Sequence, residues 1–369
     1  MTEGEIAGEG FFTPEGFAKD QMGKMESPRG ALMVASCRSG SQLANKTVQR
    51  YREFLSEAGS EGEIPFLDGI DYQFANSETC VRLDEHVSGC DVYLFQALCD
   101  PTGEGSVDQN YMALLIAARA LRENGANHVT AILPYLAYGR QDKPTEFMRE
   151  ATTARLMADL VAGAGVDRLV AWHPHCGQIR GFYGSMPVHM LEPLTLFIDE
   201  FERFRGREDA IVVAPDAGAS KLVTHFGRAL EVECAIGSKH RPRPDESEIS
   251  QIIGDFAGKR VAIVLDDEIS TGGTIFNLVS KLIEEHDLEE IYLAVSHNRC
   301  VEQGRERLQR LHEECRVRKV VVTNSIPQTD EFTELPFVAV RCLSGTLART
   351  INRIHYDRSV SEVFYRPEG

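Results

Sequence analysis

Short apolar runs alternate with amphipathic helical patterns along most of this chain, and that alternation restricts the fold more than any other feature. The strand candidates are ALMVAS, VYLFQ, VTAILPY, RLVAWHP, IVVAPD, VECAIG, VAIVLDD, IYLAVSH and KVVVTNSI. Apolar residues follow helical spacing over 109–125, over 152–163 and from Ile275 onward. The order strand, helix, strand predicts βαβ units, and the number of strands predicts an α/β protein of two tandem domains with central parallel sheets flanked by helices.

The length of 369 residues also fits two domains. We expect an N-terminal domain over 29–190 and a C-terminal domain over 191–345. Residues 346–369 are expected to form a helix and tail that pack back on the N-terminal domain. Residues 1–28 contain five glycines and six acids without a sustained period, which predicts a flexible acidic extension.

The formal net charge of −17 disfavours a general nucleic-acid-binding protein, because phosphate backbones require a basic surface. Small anionic ligands are compatible with this charge. Their attraction must then be local, from a few Lys or Arg side chains, from helix N-termini and from metal ions.

The cysteine pattern and the apolar runs predict a reduced, cytoplasmic protein without membrane contact. Nine cysteines are scattered without a C-x-x-C pair, which argues against a disulfide framework and a zinc ribbon. The apolar runs are shorter than the ~20 residues of a membrane helix. The start, MTEGEIAGEG, lacks a basic region followed by an apolar stretch, so we expect no export.

The stretch VAIVLDDEISTGGTIFNL, residues 261–278, joins acids and glycines at the end of a buried strand. Asp266 and Asp267 stand where open α/β sheets bind ligands, and they can accept vicinal hydroxyls or hold hydrated Mg²⁺. The glycines allow backbone N–H groups to approach a phosphate at the start of the next helix. A capped turn alone would be a common alternative. The residues expected to bind a sugar phosphate are Asp266, Asp267, Ser270, Thr271, Gly272, Gly273 and Thr274.

Two histidines follow the strand RLVAWHP. Alternation along a strand would place His173 and His175 on one side, so a metal pair is conceivable, although an H-x-H pair is more often structural.

The loop at 266–274 resembles the phosphoribosyl-binding loop of type I phosphoribosyltransferases and of ribose-phosphate pyrophosphokinases, the PRPP synthetases. Transferases that consume PRPP (5-phosphoribosyl 1-diphosphate) are usually single-domain proteins, whereas this chain is similar to the pyrophosphokinases from about residue 31 to 365. The similar blocks, in order, are FANSETCVRL, DQNYMALLIAARAL, ILPYLAYGRQDK, HPHCGQIRGFY, VVAPDAGA, SKHRPRP, SEISQIIGDFAGK, VVVTNSIP and INRIHYDRSVSEVF.

The resemblance implies a role for each block. ATP is expected to contact Arg140, Gln141 and His175, with Phe74, Asn76 and Glu78 contributed by a neighbouring subunit. The cofactor is expected to be Mg²⁺, held at His175 and Asp216. Lys239 and Arg241 resemble the cations of a flexible catalytic loop that folds over ATP and offsets charge on the transferring phosphates.

Several blocks depart from the family pattern. F-x-D-G-E appears as FANSE, R-Q-D-R as RQDK, D-L-H as HPH, and D-D-x-x-D-T as DDEIST, with Ser270 replacing a carboxylate. The extension at 1–28 and the insertion CDPTGEGSVD at 99–108 are also unusual. These changes bear on which nucleotide donates the diphosphoryl group and on allosteric control by phosphate or ADP. They affect the catalytic loop least.

We therefore expect a Mg²⁺-dependent ribose-phosphate diphosphokinase that transfers the β,γ-diphosphoryl group of ATP to the 1-hydroxyl of ribose 5-phosphate, giving PRPP and AMP. The resemblance also implies a homo-oligomer, based on dimers, with a hexamer as one form. A non-catalytic paralogue that scaffolds an active synthetase is the alternative, and a PRPP-consuming transferase is a third. The presence of Lys239, Arg241 and the acid pair favours the enzyme.

Overall fold

The computed structural model describes residues 13–16, 29–60, 62–243, 246–299 and 301–363, with the backbone alone for 239–243, 246–249, 302 and 362. The chain divides into two units. Unit 1 contains Met1–Leu191 and Cys342–Gly369, and unit 2 contains Glu192–Arg341. Apart from 13–16, the expected acidic extension lies outside the described residues.

Unit 1 is built around a parallel sheet. Its strands are β1 (Ala31–Ser36), β2 (Phe66–Leu67), β3 (Asp71–Gln73), β4 (Thr79–Val81), β5 (Cys90–Phe95), β6 (His128–Leu133), β7 (Arg168–Trp172) and β8 (Val188–Leu191). Its first helices are α1 (Ser41–Glu57), α2 (Val107–Glu123) and α3 (Thr153–Ala164), with 3-10 helices at Arg38–Gly40 and Gly177–Tyr183. The sheet order is β2-β1-β5-β6-β7-β8, with parallel pairing throughout, and β3 and β4 form a separate antiparallel hairpin.

Unit 2 repeats the plan with one antiparallel edge. Its strands are β9 (Ala210–Ala214), β10 (Glu233–Arg243), β11 (Glu246–Ile253), β12 (Val261–Ile269), β13 (Glu290–Asn298), β14 (Val317–Thr323) and β15 (Val338–Arg341). Its helices are α4 (Leu194–Phe201), α5 (Ser220–Leu230), α6 (Gly273–Glu285), α7 (Glu302–Glu314) and α8 (Asp330–Thr333), with a 3-10 helix at Glu202–Phe204. The order is β11-β10-β9-β12-β13-β14-β15, and β11 runs antiparallel to β10.

Burial on both faces explains why the strands are continuous apolar runs. Along β12, Ala262 and Val264 pack in the core beneath α6, where Leu278 and Leu282 are also buried. Ile263, which lies between them, packs in a second core with Phe201 and other aromatic side chains. Side chains that alternate along the strand therefore enter two separate cores, and neither face is left for polar residues.

The chain returns to unit 1 through α9 (Ser344–His355), which is followed by a 3-10 helix at Ser361–Val363. The Asn352 amide donates to the buried Tyr51 hydroxyl of α1 at 2.9 Å. The Arg349 guanidinium lies 4.2 Å from the centre of the Phe54 ring. We expected this return at residue 346, and the structure begins it at Cys342.

The predicted α/β class and the predicted strands agree with the structure, and several runs are longer than expected. The run VECAIG continues to Arg243 as β10, and VAIVLDD continues to Ile269 as β12. We expected the domain boundary between residues 190 and 191. Along the chain, the first segment of unit 1 ends at Leu191 and unit 2 begins at Glu192. No helix in the described part of the chain combines the length and apolar character needed to cross a bilayer.

Candidate active site

The predicted sugar-phosphate loop joins β12 to α6 in unit 2. Gly272 precedes the helix with φ of 72°, a left-handed conformation that favours glycine. No side-chain hydrogen bond from Gly272 caps the helix, and the first N–H groups of α6 lie at its positive end. Ile275, Leu278, Val279 and Leu282 are buried and anchor the helix beneath the loop. The local geometry is that of an anion site at a helix N-terminus.

Three carboxylates gather at the same edge of the sheet. Asp266 lies near the end of β12, and Asp216 follows β9, which pairs with β12 in parallel. Burial raises the pKa of Asp266 well above its usual range, and the charges of Asp267 and Asp216 raise it further. The Asp267 N–H donates to the Asp266 carboxylate at 2.9 Å, and the Gly218 N–H donates to Asp216 at 2.8 Å. The negative charges of the three carboxylates repel one another, and a divalent cation bound between them would relieve that repulsion.

The described residues contain no group of three or more His, Cys, Asp or Glu side chains arranged to hold a metal ion. That finding excludes a closed protein cage among them.

The backbone places Lys239 and Arg241 on β10, next to β9 in the sheet. The pattern SKHRPRP favoured an irregular loop, but this segment pairs with β11, with Lys239 opposite Ile249. The register shifts between Ser238 and Lys239 and again between His240 and Arg243. The two predicted catalytic cations therefore lie on an irregular hairpin that extends β10 beyond its pairing with β9, the strand that precedes Asp216.

This hairpin is tied to the helix of the phosphate loop. The Lys281 ammonium of α6 donates to the Ser250 carbonyl of β11 at 2.9 Å. The Ser250 hydroxyl donates in turn to the Ser238 carbonyl at 2.9 Å, one residue before Lys239. Sequence reasoning assigned no role to either residue, although Ser250 lies in the block SEISQIIGDFAGK.

In unit 1 the predicted adenine-contacting residues form the turn between β3 and β4. Phe74 is 50% exposed and meets the Tyr72 ring edge-on at 5.3 Å. The Asn76 amide donates to the Glu78 carboxylate at 2.9 Å, and Asn76 Oδ1 accepts from the Glu78 N–H at 3.2 Å. Ser77 has φ of 70°. The turn therefore presents an aromatic ring and a paired amide and carboxylate to solvent.

Arg140, Gln141 and His175 are exposed and follow β6 and β7, which are neighbours in the sheet. The two loops are joined because the Cys176 thiol donates to Asp142 at 3.2 Å. Burial and the Asp142 carboxylate raise the pKa of Cys176, so the thiol keeps its proton. Sequence reasoning missed this pair, although each member adjoins a predicted ATP-binding residue.

The strand geometry that would place His173 and His175 on one side is absent at these two residues, because β7 ends at Trp172. His173 has φ of 40°, outside strand geometry, and its N–H donates to the Leu191 carbonyl at 2.8 Å. His175 belongs to unit 1 and Asp216 to unit 2.

Two family models and several relatives match most of this chain. Residues 32–165 match the family model of the N-terminal domain of ribose phosphate pyrophosphokinase, and residues 235–365 match that of the phosphoribosyl synthetase-associated domain. A ribose-phosphate pyrophosphokinase of Clostridium acetobutylicum is 36% identical over 293 residues, covering 79% of this chain and 88% of the relative. One from Mycoplasma pneumoniae is 35% identical, with 80% and 87% covered.

The crystal structure of phosphoribosylpyrophosphate synthetase from Mycobacterium smegmatis superposes with a TM-score of 0.74 at 32% identity, covering 89% of this chain and 99% of that one. The fold and the loop thus define an enzyme of two tandem type I phosphoribosyltransferase-like domains. The chain belongs to the ribose-phosphate pyrophosphokinase family.

Proposed function

We propose that the protein is a Mg²⁺-dependent ribose-phosphate diphosphokinase that forms PRPP and AMP from ribose 5-phosphate and ATP. The observation that supports it most is the joint placement of the phosphate loop, Asp266 and Asp216 at one edge of the unit 2 sheet. The relatives from Clostridium acetobutylicum and Mycoplasma pneumoniae carry the corresponding name.

The sugar phosphate is assigned to unit 2. Backbone N–H groups and hydroxyls of the loop bind the 5-phosphate, at the positive end of α6. The residues are Ser270, Thr271, Gly272, Gly273 and Thr274. The carboxylates of Asp266 and Asp267 accept hydrogen bonds from the ribose hydroxyls and so fix the direction of the 1-hydroxyl.

ATP is assigned to the exposed loops of unit 1. Arg140 and His175 contact the phosphates and Gln141 donates or accepts beside them. Phe74 of a second subunit stacks on the base, with Asn76 and Glu78 at its edge.

In the reaction the 1-hydroxyl oxygen bonds to the β-phosphorus and loses its proton to water, while the bond from that phosphorus to the bridging oxygen breaks and AMP leaves with that oxygen. Lys239 and Arg241 offset the negative charge that develops on the transferring phosphates, which in phosphoryl transfer is the main catalytic task. Mg²⁺ at Asp216 and His175 would supply neutralisation of phosphate charge.

The deciding experiment measures AMP and PRPP formation from ATP, ribose 5-phosphate and Mg²⁺. Lys239→Ala is expected to lower kcat roughly 10²–10³-fold, as loss of one charge-stabilising donor commonly does. Lys46→Ala, an exposed lysine on α1, is the matched control and should retain activity. ATP binding without turnover would point to a scaffold, and turnover only with PRPP and a free base would point to a transferase.

We infer in addition that the protein is a homo-oligomer built from dimers, because an adenine pocket shared between subunits requires a second copy. The exposed apolar side chains of unit 1 support this: Met112 on α2 and Leu156 and Leu160 on α3 are 51%, 51% and 42% exposed. Sedimentation of the wild type and of Leu156→Glu tests the assembly. A wild-type monomer would contradict it.

A further inference from the structure

The N-terminal part of α7 lies directly against the phosphate loop. Gly304 and Arg307 are three residues apart and so share one face of this helix. A Cβ atom on Gly304 would lie only 2.7 Å from the Ser270 carbonyl oxygen. A Cβ on Gly272 would lie 3.6 Å from the Gly304 Cα atom. Backbone therefore packs on backbone here, and any side chain at residue 304 would push the loop away.

Arg307 holds the loop by its main chain. Its Nη1 atom donates to the Thr271 carbonyl oxygen at 2.6 Å. The same nitrogen would lie 3.4 Å from a Cβ on Gly273, so the guanidinium also borders the first residue of α6. Arginine is always charged and offers five donors in a rigid plane, which makes this hydrogen bond directional.

These two contacts determine where the loop N–H groups point. In a planar trans peptide the C=O and the N–H of the next residue face opposite sides. The Ser270 carbonyl faces Gly304, so the Thr271 N–H faces away from α7. The Thr271 carbonyl faces Arg307, so the Gly272 N–H faces away as well. Two successive N–H groups turned to one side form a concave anion site.

We propose that Arg307 is a positioning residue for the sugar phosphate, acting through the Thr271 carbonyl to aim the loop N–H groups at the 5-phosphate, with Gly304 permitting the close approach. This inference rests on the proposed function, because it assumes that the loop binds ribose 5-phosphate. Arg307 is not assigned a contact with the reacting atoms.

The test measures kcat, KM for each substrate, and ribose 5-phosphate binding by calorimetry without ATP. Arg307→Ala is expected to weaken ribose 5-phosphate binding about tenfold or more, the effect of losing one charged hydrogen bond, while KM for ATP changes little. Arg307→Lys keeps a charge and a donor without the rigid plane, and should recover part of the affinity. Gly304→Ala should weaken binding through displacement of Ser270.

Arg310→Ala is the matched control. Arg310 lies on the same helix, where it donates to Glu314 at 3.1 Å and stacks over Phe276 of α6. These contacts involve no carbonyl of the loop, so the loss of Arg310 should leave ribose 5-phosphate binding unchanged. If Arg307→Ala folds and binds ribose 5-phosphate normally, the inference is overturned but the proposed function stands. If Arg307→Ala does not fold, normal binding by both Arg307→Lys and Gly304→Ala has the same consequence. A wild type that neither binds ribose 5-phosphate nor forms AMP overturns the proposed function instead.

Discussion

Ser77 stands in a backbone conformation that usually belongs to glycine. Its φ of 70° lies in the left-handed region, which costs an L-residue roughly 1–2 kcal/mol. Asn76 satisfies the turn by bonding to both the N–H and the carboxylate of Glu78. The family's aspartate and glycine are thus replaced by an asparagine that bonds within the turn and a serine that is strained.

Ser77→Gly should therefore stabilise unit 1 by up to about 1 kcal/mol, because relief of strain exceeds the added entropy of the unfolded chain. Urea denaturation measures the change. Ser77→Ala retains the strain and is the control. Equal stability of the glycine and alanine variants would contradict this account.

Asp266 carries a conflict between stability and function. Its pKa is raised in the folded protein, so the folded state binds the proton more tightly than the unfolded state. As pH rises above the ordinary aspartate value, this group lowers the free energy of unfolding until its raised pKa is passed.

Asp266→Asn should abolish this pH dependence and, without Mg²⁺, stabilise the protein near neutral pH by on the order of 1 kcal/mol or more. Activity should fall sharply, because a carboxylate assigned to the ribose is lost. Thermal unfolding from about pH 4 to 8 is the measurement. A stability difference between asparagine and aspartate that stays constant across this range would argue against a raised pKa.

At the residue scale, the sequence predicted the acid pair and the glycine loop because strand, acids and helix are contiguous. It could not predict Arg307, which meets Thr271 from 36 positions away. It could not predict the bond between Cys176 and Asp142 either, because that contact depends on how β6 and β7 pair.

The loops after β6 and β7 are linked at the element scale by that bond. Cys176→Ala removes it and should raise KM for ATP several-fold, with little effect on KM for ribose 5-phosphate, since a net hydrogen bond is worth about 0.5–1.5 kcal/mol. Cys176→Ser should recover much of the loss. Cys342→Ala, which removes an exposed thiol, is the control. An unchanged KM for ATP in Cys176→Ala would show that the loops hold their positions without the bond.

Two of the elements that escaped prediction, α7 and β11, have few buried apolar residues or many charged ones. Helix α7 is so polar that only Gly304, Leu308 and Leu311 are buried in its described part, too few to give a strong helical pattern. Strand β11 and the outer half of β10 are rich in charge and pair with each other. Their strand conformation comes from pairing with each other rather than from apolar burial. Hydrophobic periodicity in the sequence does not detect such pairing.

At the scale of the molecule, unit 2 is inserted into unit 1. The closing helix α9 contributes buried contacts to α1, including the hydrogen bond between Asn352 and Tyr51. We expected a returning helix and tail from residue 346, and the structure has α9 over Ser344–His355 after β15 ends at Arg341.

Asn352→Leu should destabilise unit 1 by about 1–3 kcal/mol, because it removes the amide that donates to the buried Tyr51 hydroxyl. Adding Tyr51→Phe removes that hydroxyl and should recover most of the loss. Hydrogen exchange resolves the effect by unit. Loss of protection in unit 2 alone, or no recovery in the double variant, would contradict this role for the pair.

The insertion also sets an order for biosynthesis. The helix that closes unit 1 leaves the ribosome after all of unit 2, on the order of ten seconds or more after Leu191 at ~5–20 residues per second. Through that interval the face of α1 with Tyr51 and Phe54 lacks its cover, so a nascent chain stalled before residue 344 is a natural client for a chaperone.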